Sequence, residues 1–282
     1  MGTKIALVLG GGGSRSLAHI GVLDVLGREQ IPIDLIVGTS MGGIIGAMFA
    51  LGYTPAEMSG MVRRWQQNPL FNFKNLTTQS RQNQLRDFLV ELFGTKTFAD
   101  LPLPVIITAA DMRHGVEIQL EEGELVSALL ASSAMPGAFP TVSLNGLELG
   151  DGGVIDALAT GVAYGREADR VIAVDVFPAL KEDHPWNDPV SDFLGVQWTA
   201  FLPKGDKIPP LPTALWRAVR VVTWYVHRQR LAAHPPHVLL RPEVDHVVSL
   251  DFRDIESLIQ AGVDEAERHL NQLRSLVVNN EQ

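Results

Sequence analysis

The feature that most constrains the fold of this chain is a unit of buried strand, tight glycine-containing turn and helix that occurs twice in the first 52 residues. The apolar run KIALVLG (4–10) ends in glycines, and apolar residues at helical spacing follow it. IDLIVGTS (33–40) and MGGIIGAMFALG (41–52) repeat the pattern. Two successive units of this kind predict an α/β fold with a mostly parallel central sheet.

Length and composition favour one domain. A chain of 282 residues that is 46% hydrophobic can bury one substantial core, so we expect a single domain over residues 1–282. Residues 178–212 are rich in proline, aspartate and lysine, which predicts an irregular excursion from that domain. A helical segment is expected at 213–231, and a single long closing helix at 251–276.

Charge and residue usage exclude several classes of function. The net charge of −9 argues against nucleic-acid binding, which needs a basic surface. The absence of cysteine removes thiolate nucleophiles and sulfur-ligated metals, and it fits a reducing compartment. The first apolar run is too short and too soon interrupted by glycine for a secretory signal. We therefore expect a cytoplasmic protein.

The strongest chemical motif is Gly38-Thr39-Ser40-Met41-Gly42, which matches G-x-S-x-G. In this motif a strained turn between a strand and a helix projects a serine hydroxyl as a nucleophile. The position of the match, between a predicted strand and a predicted helix, favours that interpretation. The alternative is that these glycines only allow close packing of the strand against the helix.

A nucleophilic serine needs donors for the oxyanion, and the first glycine-rich turn, residues 10–13, can supply backbone N–H groups at the start of a helix. Successive strand-to-helix turns of a parallel sheet emerge at the same edge, so this turn should face Ser40. A phosphate site is the alternative. Arg15 and Ser16 occupy the positions where a dinucleotide fingerprint needs glycine, and no P-loop lysine follows. The sequence therefore matches neither of these two phosphate-binding motifs.

The serine also needs a base. His19 and His269 lie inside predicted helices, and only His246 follows the order serine, aspartate, histidine in a plausible loop. A histidine triad is disfavoured because only one strand precedes the strand that carries Ser40. Asp151, after a short strand and before two glycines, is the better candidate, although Asp-Gly is also a common turn sequence.

Four motifs in order, GGGGSRSLAHIGVL, GTSMGG, ASSAMPGAFP and DGG, resemble those of bacterial patatin-like phospholipases, including relatives of the neuropathy target esterase domain. The resemblance implies a three-layer α/β/α sandwich and a serine acyl hydrolase that acts on lipid or lysophospholipid acyl esters without metal or cofactor. It implies Ser40 as nucleophile and Asp151 as base. The oxyanion and substrate-binding positions are then Gly11, Gly12, Gly13, Arg15 and Met41.

The chain departs from the family at Ser16, where glycine is usual. A side chain there could narrow the oxyanion turn or change its φ angle. Two alternatives to the hydrolase therefore stay open: a weakly active regulatory or binding protein on the same scaffold, and an acyltransferase that uses the same acyl-serine. Arg15 either holds the loop or lies at the surface.

The predicted helix at 213–231 suggests how a lipid is reached. It separates an apolar face from a face that carries arginines together with Trp216 and Trp224, a composition suited to a bilayer interface or a partner surface. The simpler interpretation is that the tryptophans pack on residues 178–212 with arginines stacked against them. The alternative is that the helix borders the active site and docks on lipid or on another subunit.

Overall fold

The structure, a computed structural model, describes residues 3–66, 77–178, 211–247 and 251–278. The predicted excursion at 178–212 therefore falls almost wholly outside the described residues. In the described part, eight strands form one sheet. They are β1 (Ile5–Leu9), β2 (Leu35–Thr39), β3 (Val105–Asp111), β4 (Val116–Leu120), β5 (Val142–Leu144), β6 (Leu147–Asp151), β7 (Arg170–Val174) and β8 (Val238–Leu240).

The sheet has a parallel centre and an antiparallel edge. Strands β3, β2, β1, β7 and β8 are neighbours in that order and run parallel. Strands β4 and β6 pair antiparallel with β3, and β5 extends the sheet beyond β6. The five parallel strands confirm the expected α/β sheet. The parallel strands are buried throughout or nearly so, which explains their continuous apolar sequences.

The register places β2 and β6 end to end along one edge of β3. Strand β2 pairs with β3 up to Thr39 opposite Thr108, and β6 pairs with the next residues, from Asp151 opposite Ala109. Strand β4 pairs with β3 across both stretches, so it occupies the other edge. The last residue of β6 therefore lies beside the carboxyl end of β2.

Nine helices accompany the sheet in the described part. They are α1 (Ala18–Arg28), α2 (Met41–Ala50), α3 (Pro55–Gln66), α4 (Thr78–Phe93), α5 (Leu125–Ser132), α6 (Thr160–Gly165), α7 (Leu211–Ala233), α8 (Ile255–Arg268) and α9 (Leu270–Val278). Helix α7 spans the range 213–231, where the sequence predicts a helical segment. The prediction of a single closing helix was wrong, because the helix is interrupted at His269, between α8 and α9. The apolar residues continue at helical spacing through this interruption, so the sequence pattern does not reveal it.

Helices cover both faces of the sheet and complete three layers. On one face, Ile5, Leu7 and Leu9 of β1 belong to a core that includes residues of α1, α2, α4, α5 and α8. On the other face, Ala6 and Val8 pack in a smaller core with residues of α6. Alternate residues of one strand thus serve two cores, as the two-residue period of a strand requires.

Helices α1 and α8 approach closely through two glycines. A Cβ atom added at Gly21 would overlap the carbonyl oxygen of Ile259, and one added at Gly262 would overlap that of Ala18. Both obstacles are backbone atoms, which cannot rotate away. The crossing therefore requires residues without side chains on both helices.

We expect Gly262→Ala to lower the free energy of unfolding by about 1–3 kcal/mol, the usual cost of forcing an extra methyl group into a packed site. Gly27→Ala in α1 is the matched control, since no atom lies within 4 Å of its added Cβ. That variant should be neutral or more stable by up to about 1 kcal/mol. Urea unfolding of both measures the difference, and equal stabilities would contradict the close crossing.

Candidate active site

Ser40 occupies a strained turn between β2 and α2. Its backbone has φ 53° and ψ −127°, in the positive-φ region that a residue with a side chain rarely adopts. Such conformations cost about 1–3 kcal/mol and persist only where the surrounding structure enforces them. The backbone N–H groups of Gly43 and Ile44 donate to the Ser40 carbonyl and begin the helix. This is the strained strand-to-helix turn that the motif predicts.

The flanking glycines allow the close packing that creates this turn. A Cβ atom at Gly38 would overlap Gly43, and one at Gly42 would overlap the Leu9 carbonyl oxygen. The sequence left two interpretations of these glycines, a strained turn at the serine and close packing of the strand against the helix. The structure has both features, because the close approach of α2 to β2 goes together with the strained turn.

The hydroxyl of Ser40 donates a hydrogen bond to the carboxylate of Asp151. The distance between Ser40 Oγ and Asp151 Oδ2 is 2.7 Å, although the two residues are 111 positions apart in sequence. The end-to-end arrangement of β2 and β6 explains the contact, because Ser40 follows the last residue of β2 and Asp151 ends β6.

Asp151 is buried, and its second oxygen, Oδ1, accepts a hydrogen bond of 2.8 Å from the Gly153 N–H. Burial disfavours the charged carboxylate and raises the pKa of Asp151 to about 6. The hydrogen bonds from Gly153 and Ser40 favour the charged form and limit the rise. The carboxylate is therefore mostly ionised at neutral pH and still basic enough to accept a proton.

Ser132, at the end of α5, fixes the backbone of the elbow. Its hydroxyl accepts a hydrogen bond of 2.8 Å from the Ser40 N–H and donates one of 2.7 Å to the Thr108 carbonyl. The residue lies in the ASSAMPGAFP motif, but sequence reasoning assigned it no role. A serine 92 positions away carries no local signal of contact with the elbow.

The first glycine-rich turn lies beside Ser40. Gly12 immediately precedes a 3₁₀ turn, Gly13–Leu17, and Gly13 is its first residue. The first N–H groups of such a turn have no acceptor within the turn itself. Gly11 differs from the expectation, because its N–H donates to the Ala157 carbonyl at 2.9 Å and is not free for an oxyanion. A Cβ atom at Gly11 would lie 3.3 Å from Ser40 Cβ, so the turn and the elbow adjoin.

Ser16 and Arg15 both face the protein interior. Ser16 lies inside the 3₁₀ turn and is not among the residues with positive φ, and its hydroxyl donates to the Gly10 carbonyl at 3.3 Å. The expected change of φ at Ser16 therefore does not occur. Arg15 is 7% exposed and donates to the Val247 carbonyl at 3.1 Å, so it holds the loop and is not a surface residue.

Ser40, Asp151 and the glycine turn open into a pocket of about 370 Å³. Most of the wall is apolar, with side chains from α2, α3, α4 and the loop after α5, while Arg15 and Met41 lie near the serine. Among the described residues that line the pocket there is no histidine, and His246 is not part of it. The structure thus brings Ser40 to Asp151, and it brings no histidine of the described ranges into this pocket.

Residues 7–164, more than half of the chain, match the family model described as patatin-like phospholipase. The chain belongs to the patatin-like phospholipase family. Its three-layer arrangement also resembles VipD from Legionella pneumophila, with a TM-score of 0.51 and 12% sequence identity over 97% of this chain and 67% of that chain. At that identity the similarity supports the fold alone.

Curated relatives of this patatin-like chain include two fungal lysophospholipases. It is 28% identical to lysophospholipase NTE1 of Candida albicans (strain SC5314 / ATCC MYA-2876), over 93% of this chain and 20% of that protein. It is 27% identical to lysophospholipase nte1 of Aspergillus fumigatus (strain ATCC MYA-4609 / CBS 101355 / FGSC A1100 / Af293), over 97% of this chain and 18% of that protein. The chain thus spans about one fifth of these relatives.

In this patatin-like fold, helix α7 forms part of the pocket rim through Val219, Arg220 and Thr223. Its inward side is polar. His227 Nε2 lies 3.1 Å from the buried Asp175 carboxylate, and Arg230 pairs with Glu117 and Asp156 at 2.9 and 3.3 Å. Burial alone would raise the pKa of Asp175, but the bonds from His227, Arg241 and Phe177 lower it overall.

The exposed residues of α7 include several large apolar side chains. The outward apolar ridge of this helix consists of four side chains that are 47–60% exposed: Leu215, Val219, Val222 and Tyr225. Trp224 stacks with Arg228, whose Cζ lies 4.8 Å from the ring centroid. The side chain of Trp216 and residues 179–210 lie outside the described residues, so packing of the tryptophans on that segment stays a prediction. No helix in the described ranges is long and apolar enough to cross a bilayer.

We expect the Asp151 carboxyl to titrate with a midpoint near pH 6, because burial raises its pKa from an ordinary value of 3.8 to about 6. Carbon NMR of protein labelled at aspartate carboxyl groups measures this midpoint. Comparison with Asp151→Asn, in which the signal is missing, assigns the resonance. A midpoint near pH 4 would contradict the buried environment of this carboxylate.

Proposed function

We propose that this protein is a serine lipid acyl hydrolase in which Ser40 and Asp151 form a catalytic dyad. The observation that carries the proposal is the 2.7 Å hydrogen bond from the Ser40 hydroxyl, on a strained elbow, to a buried carboxylate at the end of an apolar pocket. Membership of the patatin-like family and similarity to lysophospholipases support an acyl ester of a lipid as substrate.

In the first half-reaction, Ser40 Oγ attacks the ester carbonyl carbon while its proton passes to Asp151 Oδ2. The N–H groups of Gly12, Gly13 and Met41, at the starts of their helices, would stabilise the negative charge on the carbonyl oxygen. The tetrahedral intermediate then breaks its bond to the alcohol oxygen. The alcohol leaves with the proton from Asp151, and the acyl group stays on Ser40.

Water completes the cycle. Asp151 accepts a proton from the water that attacks the acyl-serine, a second tetrahedral intermediate forms, and Ser40 recovers its proton as the fatty acid leaves. The same carboxylate serves both half-reactions because its pKa of about 6 lies close to neutral pH. An acyl acceptor that competes with water would turn the same intermediate into acyl transfer.

The dyad predicts that Ser40→Ala abolishes labelling by a fluorophosphonate and lowers kcat for a short p-nitrophenyl ester by about 10⁴-fold or more. Asp151→Asn should lower kcat by about 10³-fold or more, because an amide cannot accept the serine proton. Ser127→Ala and Asp264→Asn are matched controls away from the pocket and should keep wild-type rates. Wild-type protein that is folded but neither labelled nor active would refute the hydrolase and favour a binding protein.

The pH profile provides a separate test. We expect kcat/KM for the same ester to fall about tenfold per pH unit below pH 6, because Asp151 must be ionised in the free enzyme and its pKa is about 6. Initial rates between pH 4.5 and 8, measured where the protein stays folded, determine the midpoint. A rate that stays constant down to pH 5 would contradict a base whose pKa is about 6.

We further propose that the outward apolar ridge of α7 contacts the surface of a membrane. Val219 belongs both to this ridge and to the pocket wall, so a bilayer at the ridge lies next to the pocket mouth. Arg217 and Arg228 on the same helix would face anionic lipid headgroups. The expected cytoplasmic location and a homo-oligomer stay predictions.

The double substitution Val222→Ser and Tyr225→Ser should weaken sedimentation with anionic phosphatidylglycerol vesicles by about tenfold or more, since each side chain would lose about 1.5–3 kcal/mol of apolar burial. Hydrolysis of a water-soluble short ester should not change. Val116→Ser is the matched control, because Val116 is similarly exposed (48%) but lies on β4. Equal binding of all variants would rule out this surface.

A further inference from the structure

The carbonyl oxygen of Gly10, where β1 enters the glycine turn, accepts two side-chain hydrogen bonds. His19 Nε2 lies 2.7 Å from it, and Ser16 Oγ lies 3.3 Å from it. Both side chains are fully buried. Neither side chain bonds to Ser40 or Asp151, so their shared contact with this one carbonyl needs a separate explanation.

His19 is a neutral hydrogen-bond donor in this position. Burial lowers the pKa of His19 to about 4, against weaker opposing effects of the Gly10 bond and of Asp175. A carbonyl oxygen can only accept, so Nε2 carries the proton. The other ring nitrogen, Nδ1, is buried and has no hydrogen-bond partner among the described residues. The ring is thus held by its bond to Gly10 and by packing.

The same peptide group is also held from its other side. Its N–H, that of Gly11, donates to the Ala157 carbonyl at 2.9 Å. The preceding peptide is held as well, because the Gly10 N–H donates to the Val174 carbonyl at 3.1 Å. A flip of the peptide between Gly10 and Gly11 would turn its oxygen toward the Ala157 oxygen and break all of its bonds. This peptide immediately precedes the Gly12 N–H.

We propose that His19 and Ser16 are positioning residues that lock the peptide between Gly10 and Gly11, and thereby aim the Gly12 and Gly13 N–H groups at the oxyanion. The inference rests on the proposed hydrolase and extends it to residues outside the pocket. Fixed donors stabilise developing charge without reorganisation during the reaction, so the loss of the lock should slow chemistry more than binding. Ser16 then contributes a further hydrogen bond that holds this peptide, and it does not disturb the turn.

The kinetic test separates positioning from folding. His19→Leu should lower kcat for the short p-nitrophenyl ester about tenfold, with KM changed less than about twofold, because the donors act on the transition state. His19→Gln keeps an N–H donor near Nε2 and should recover most of kcat. Ser16→Ala removes only the longer bond and should lower kcat about threefold. His269→Leu in the loop between α8 and α9 should keep the wild-type rate.

A second readout does not depend on turnover. The amide NMR resonances of Gly12 and Gly13 should shift or broaden in His19→Leu and Ser16→Ala, and stay in place in His269→Leu. Unchanged amides, or equal losses in His19→Gln and His19→Leu, would overturn the positioning role. Displaced amides in a protein whose wild type hydrolyses no ester would support the positioning and contradict the proposed function. If His19→Leu does not fold, His19→Gln and Ser16→Ala still decide the question.

Discussion

The site depends on how closely helix α2 approaches the carboxyl ends of β1 and β2. Gly42 has no room for a side chain against the Leu9 carbonyl, and Gly38 has none against Gly43. This backbone contact leaves a turn so short that Ser40 adopts positive φ. The strain, about 1–3 kcal/mol, is maintained because buried residues of α2 and β1 form the same core. The close packing of α2 and the strained conformation of Ser40 are therefore consequences of one constraint.

Two buried ionisable groups contact the turns of the site, Asp151 at Ser40 and His19 at Gly10, and burial drives both toward their neutral forms. The pKa of Asp151 rises from 3.8 to about 6, so its contribution to stability is full below pH 3.8 and is lost as pH rises through 6. The pKa of His19 falls from 6.5 to about 4, so its contribution is full above pH 6.5 and is lost as pH falls through 4. Between pH 4 and 6 the contribution of Asp151 to the free energy of unfolding falls with rising pH while that of His19 rises, so the two changes largely cancel.

The sequence contained enough information to predict contacts that follow from local patterns. Glycines mark the end of each apolar strand and the start of the helix that follows. The α/β sheet, the turn at Ser40 and the glycine-rich turn could therefore be located from their positions between predicted strands and helices. Asp151 was found because an Asp-Gly-Gly turn after a strand is also a local signal. Its contact with Ser40 follows from the register of β6 on β3, which no local pattern encodes.

Sequence reasoning failed where a side chain's partner is distant or its environment ambiguous. Ser132 is one of many serines, and its bond to the Ser40 N–H joins elements 92 residues apart. His19 was placed correctly in a helix, but periodicity does not reveal that its ring faces the Gly10 carbonyl. The break at His269 was missed because apolar residues continue at helical spacing through α8 and α9.

The outward apolar ridge of α7 follows from the polar groups beneath the helix. His227 and Arg230 are partners of three carboxylates, Asp175, Glu117 and Asp156, that are buried or partly buried. A rotation of α7 that buried the ridge would separate these pairs and remove Arg230 from both Glu117 and Asp156. Because several pairs would break together, the ridge remains exposed beside the pocket.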